Sequence, residues 1–185
     1  MSSNPSIEAA SRPLARPSCQ TLERMRASSP SSTPAFAEVA SAFCTWCEGP
    51  SLGPDREASV AAWLARLYAA ALSLPDVESE YEDGLPNLPE AALAKARENL
   101  ACFNGWYYRE FFDPDPTLEE EPGMGDIGDD LLDIYKDIKV GCLLFERGEA
   151  TEALWQWSFL HRVHWGRHAV GALFALHCLS ISKHA

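Results

Sequence analysis

No stretch of about 18 apolar residues occurs in this chain, so no segment reads as a membrane-spanning helix. Basic residues are scarce: 15 Lys and Arg stand against 27 Asp and Glu, a formal charge of -12. Such a field repels phosphate backbones, and no nucleic-acid partner is expected. A secretory apolar core near the start is missing. The cysteines 19, 44, 47, 102, 142 and 178 show no disulfide framework, and Cys102, Cys142 and Cys178 sit singly in apolar helical stretches. Free thiols in such places act as small hydrophobes, which points to a reduced, cytoplasmic protein. Strand-like alternation never runs beyond a few residues. No acid occurs from Ala153 to the end.

What remains is 185 residues, 46% apolar and 10% aromatic, enough to bury one core without a staple. Residues 1–33 carry nine Ser and four Pro with little apolar clustering, and read as a disordered tail. Its four Arg against two Glu suggest a transit peptide as one alternative, and Met25 as a later start is another. Residues 34–185 read as a single all-α domain, an antiparallel bundle of about five helices. Helical spacing predicts runs over 35–48, 55–74 and 89–111, a fourth helix from Asp126 to Arg147, and a long fifth from Glu149 to near Leu179. Gly148 caps the fourth.

Two motifs are set aside on physical grounds. Gly123-Met-Gly125-Asp-Ile-Gly128 matches the dinucleotide fingerprint in letters. That turn needs a preceding strand and a cationic setting for a pyrophosphate. Here Glu119-Glu-Glu-Pro122 precedes it, and nine acids with no base lie between Asp113 and Asp133. Cys44-Thr-Trp-Cys47 has redox spacing but falls late in a helix, where no dipole activates a thiol. No second such pair completes a zinc site.

The last two helices carry the chemistry. On a wheel of about 100° per residue, Ile127, Leu131, Ile134, Tyr135, Ile138, Cys142 and Phe145 form one apolar arc. Asp126, Asp130, Asp133 and Asp137 lie beside that arc, where a purely solubilising stripe would lie opposite. Trp157, His161, His164 and His168 repeat the same steps of four, three and four on an otherwise apolar helix. A joint of one or two residues folds this helix back on the fourth, so the Asp and His stripes should face each other. Arg109, Arg162 and Arg167 are further donors to a network of Asp126, Asp137 and His161. Arg167 lies off the His stripe and has the Phe112–Asp115 corner or Glu152 as other partners.

Two readings follow. One is a non-catalytic binding or scaffold module, held in register by a buried polar network, with no cofactor and another protein as its partner. The alternative is a divalent-metal site of Asp130, Asp133, His164 and His168, which would serve a hydrolase of a small, phosphorylated substrate. Asp129-Asp-Leu-Leu-Asp-Ile-Tyr-Lys-Asp-Ile-Lys139 and His164-Trp-Gly-Arg-His-Ala-Val-Gly-Ala-Leu173 resemble segments of a bacterial family, domain of unknown function 5063. The Phe112-Asp-Pro114 and Ala153-Leu-Trp-Gln-Trp157 stretches are similar to it too. The resemblance spans about residues 34–179. It implies a small, all-helical, cytoplasmic protein and carries over no catalytic residue.

Overall fold

The structure, a computed structural model, describes residues 32–50, 52–79, 84–113 and 115–182. The tail reading of 1–33 therefore lies outside the described residues, except that Ser32 and Thr33 already belong to the first helix. Among the described residues are α1 (Ser32–Cys47), α2 (Arg56–Ala71), α3 (Glu90–Leu100), β1 (Tyr107–Glu110), β2 (Gly123–Asp126), α4 (Ile127–Glu146), α5 (Ala150–Val163) and α6 (Trp165–Ser182). None of the helices is long and apolar enough to cross a membrane.

Helix α4 is the centre of the bundle because its apolar arc is buried as far as Cys142; Phe145, the last residue expected in that arc, is exposed instead. Ile127, Leu131, Ile134, Tyr135, Ile138 and Cys142 are all buried, and the helix packs against α1, α3, α5 and α6. Each fully buried Leu or Ile contributes about 1.5–3 kcal/mol relative to exposure. Trp157 and Trp165 are also fully buried, which requires a partner for each indole N–H. Trp157 Nε1–H donates to the Ile138 carbonyl at 3.0 Å, and Trp165 Nε1–H to the Trp157 carbonyl at 3.2 Å. Gly141 makes the first contact possible, since a methyl there would collide with the Trp157 indole.

Three expectations need correction. The third helix does not reach Phe111: it ends at Leu100, a short 3-10 turn covers Ala101–Phe103, and the chain reverses at Gly105 (φ 78). Asn104-Gly105 is the turn signal that the continuing apolar spacing concealed. Beyond it, β1 pairs antiparallel with β2, Tyr107 opposite Asp126 and Arg109 opposite Met124. A strand thus does precede α4 at the fingerprint-like glycines. Asp126 nevertheless fills the helix N-terminus itself, accepting from the Gly128 N–H at 2.8 Å and the Gly105 N–H at 2.7 Å. Finally, the long fifth helix is two helices. The chain leaves helical dihedrals at His164 (φ -143, ψ -88), and at Gly166 it passes so close to the His161 carbonyl that no side chain fits.

Candidate functional site

Contacts between α4 and the returning chain run Ile138 with Trp157, Asp137 with His164 and Asp130 with His168. One number falls as the other rises, so the packing is antiparallel. The facing stripes meet as their spacing implied. His168 Nδ1 lies 2.7 Å from Asp130 Oδ1, and His164 Nδ1 lies 2.6 Å from Asp137 Oδ2. An ionised carboxylate only accepts, so each Nδ1 carries the shared proton and Nε2 is the nitrogen left over. The Asp130 bond holds the His168 imidazolium above its ordinary range, against burial. Burial lifts the Asp137 carboxyl, and His164 opposes that shift.

Asp130 has a second partner that the sequence reading missed. Its side chain is 6% exposed, and Oδ2 accepts from the Tyr108 hydroxyl at 2.8 Å. Tyr108 comes from β1 and reaches α4 only because its ring crosses Gly125 on β2 and abuts Gly171 on α6, where added methyls would collide with it. Burial, then the Asp130 bond, raise the Tyr108 phenol well above its usual range, so it stays a donor. The signal was the glycines opposite an aromatic, legible only once the hairpin is known.

Asp133, on the same stripe, bonds Lys136 Nζ at 2.8 Å. A ligand-capable atom of Asp133, His164 and His168 lies within 4.8 Å of those of the other two. The His164 and His168 rings meet edge to face, with centroids 4.8 Å apart. The four expected metal ligands therefore divide. Asp133, His164 and His168 converge, while Asp130 sits behind His168.

The other expected network members lie elsewhere. Asp126 is the α4 cap. His161 packs between Tyr68 and Trp165, both at 4.8 Å between centroids, and its buried Nε2 has no hydrogen-bond partner among the described residues. Burial and Arg162 hold its imidazole below the ordinary range. Arg162 pairs with Asp76 at 2.9 Å, and Arg167 covers the Phe112 ring at 4.5 Å, one of the two corners expected for it. Arg109 belongs to the hairpin. A separate cluster went unread in the sequence: Glu48 on the end of α1 accepts from Tyr135 at 2.9 Å and pairs with Lys139 at 2.7 Å. Cys44 and Cys47 are fully buried thiols, with Cys44 against Cys142.

A second surface stands out by its lack of polarity. A groove of about 600 Å³ runs between α2 and α6, bounded by Ala65, Ala69 and Ala169 and by Tyr68, Val170 and Phe174. Phe174 is 62% exposed and Val170 49%, Leu72 is exposed on the same groove, and Val163 and Ile181 are exposed elsewhere on α5 and α6. Cavities of about 520 and 530 Å³ line α1 and the start of α2. All three are lined by residues other than the Asp–His seam.

Comparison with known proteins agrees with this architecture. The family described as domain of unknown function (DUF5063) matches residues 28–182, and the chain belongs to it. The crystal structure of protein BF1032 from Bacteroides fragilis is similar at a TM-score of 0.63 and 25% identity, covering 81% of this chain and 95% of that one. No curated protein matches.

Proposed function

We propose that this member of the family is a non-catalytic binding module. Its α2/α6 groove takes an amphipathic helix, with acids flanking its apolar stripe, from another protein. The exposed apolar stripe of α6 carries the reading: Val170, Phe174 and Ile181 follow steps of four and seven, a helix-facing spacing, beside a floor of alanines that lets a second backbone approach. Monomeric proteins rarely leave large contiguous apolar patches uncovered.

Charge selects the partner. The molecule bears -12 overall, yet the sequence has no acid from Ala153 onward, and the groove is lined by His177 and by no carboxylate. An acid-flanked helix meets less repulsion at this carboxylate-free groove than over the acidic remainder of the chain, and gains a cationic contact where His177 is protonated. In this reading the Asp130–His168 and Asp137–His164 pairs register α6 on α4 and so hold the groove's wall in place. A reducing compartment suits the buried thiols Cys44, Cys47 and Cys142.

The test is a photo-crosslinking residue at Val170 of the full chain in its native cells, with Glu98 on the exposed face of α3 as control position. The expected result is an adduct to a distinct protein through an acid-flanked amphipathic segment. A peptide of that segment should bind the purified chain and lose at least tenfold in affinity on Phe174→Glu. An adduct to a second copy of the chain, to lipid, or one shared with position 98 would overturn the proposal.

A further inference from the structure

We propose that Asp133, His164 and His168 form a site for one divalent transition-metal ion on the seam between α4 and α6, separate from the α2/α6 groove. The donor set is one carboxylate and two imidazoles, whose ligand atoms already lie within 4.8 Å of one another. Two imidazoles favour zinc, nickel or cobalt over calcium and magnesium, which prefer all-oxygen shells.

The arrangement behind these ligands is the stronger argument. Metal-bound histidines almost always donate their other ring N–H to a carboxylate or carbonyl, which fixes the ring and raises its basicity. Both histidines have that support here: His168 from Asp130 at 2.7 Å and His164 from Asp137 at 2.6 Å. Asp130 is itself fixed by Tyr108. A purely structural pairing needs only the two Nδ1 contacts. It leaves Asp133, a third donor beside the same two rings, with Lys136 as its partner and no role in the pairing.

Burial is graded in the same sense. The supporting Asp130 and Asp137 side chains are 6% and 16% exposed, whereas Asp133 and His164 are 34% and 42% exposed. An ion can therefore enter from solvent against a rigid rear wall. Ligand atoms about 2.0–2.2 Å from a tetrahedral zinc lie about 3.4 Å apart, so donors now within 4.8 Å must draw in by up to about 1.4 Å. The movable ones are the half-buried Asp133 and the more exposed His164, and His164 sits at the break between α5 and α6. Three protein donors leave a fourth position for water.

Lys136 supplies a specific test, because its ammonium already occupies Asp133 at 2.8 Å and an incoming cation must compete with it. The full chain, stripped with EDTA, would be titrated with Co2+ by visible absorption and with Zn2+ by calorimetry. One equivalent should bind and give the d–d bands of a low-coordinate site. Asp133→Asn and His164→Ala should each weaken binding at least tenfold. Asp137→Asn, which removes no ligand but weakens the support behind His164, should cost about 10–100-fold. Lys136→Gln should tighten it. Failure of the wild type to bind would overturn the site, as would wild-type affinity in the Asp133→Asn/His164→Ala double variant. Unchanged affinity in a Lys136→Gln variant whose far-UV spectrum matches the wild type would remove Asp133 from the ligand set and overturn the three-donor centre.

Discussion

His161 and His168 lie seven positions apart on one stretch of chain, and their surroundings push them in opposite directions. His168 gains a carboxylate, so its protonated form is favoured in the fold. Its contribution to stability is complete below the unfolded histidine range, about 6.5, and is lost as pH rises through its raised folded value. His161 gains only aromatic neighbours and a nearby Arg162, and its Nε2 is buried without a partner among the described residues. The folded chain resists protonating it while the unfolded chain does not. Stability from this residue is therefore complete above about 6.5 and is lost as pH falls toward the depressed folded value. His161→Phe keeps a ring between Tyr68 and Trp165 and removes both the orphan nitrogen and the titration. At pH 7.5 the variant should match or exceed the wild type by on the order of 1 kcal/mol, since an unsatisfied buried polar atom is relieved. The gap should widen at pH 5.5, read from urea midpoints at both pH values. A gap independent of pH would show that His161 does not titrate differently on folding.

At the scale of elements, the sequence made legible whatever rests on a long period. The α4 arc and the Asp and His stripes were readable because three or more turns repeat the same steps. Their meeting followed because Gly148, at φ 83, permits a two-residue reversal. Short elements were not readable. Strands of four residues, two of them glycines in β2, offer too little alternation to register, and so the donor Tyr108 was missed with the hairpin that carries it. The break at His164 was hidden for the opposite reason: apolar residues continue through it, and one glycine among them is a weak mark. Physically Gly166 is the determinant, because its neighbour is a backbone carbonyl that cannot rotate away. Gly166→Ala should cost about 1–3 kcal/mol, as overpacking does in dense interiors. Gly53→Ala, where an added methyl meets nothing within 4 Å, should be close to neutral. Chemical denaturation of the two variants tests this, and equal stabilities would mean that the break is set by Trp165 burial alone.

Across the whole molecule, the charge is segregated by sequence. Nine acids and no base lie between Asp113 and Asp133, and no acid follows Ala153. The ion pairs that offset this imbalance are of two kinds. Arg162–Asp76 is exposed and Lys136–Asp133 only half-buried, and salt screens both readily. Asp130–His168 and Lys139–Glu48 are largely withdrawn from solvent and are screened far less. Added salt thus weakens little that holds the fold, while it relieves the mutual repulsion of a chain carrying -12. Moving from about 20 mM to 500 mM NaCl shortens the Debye length from roughly 20 Å to about 4 Å, enough to suppress repulsion along the acidic hairpin and the first turns of α4. The urea midpoint of the metal-free chain should therefore rise with NaCl at pH 7.5 while the slope of the transition stays constant. A falling midpoint would mean that the readily screened pairs outweigh the repulsion. It would also count against an electrostatic origin for partner choice at the acid-free face, because the segregated charges would then be serving the fold instead.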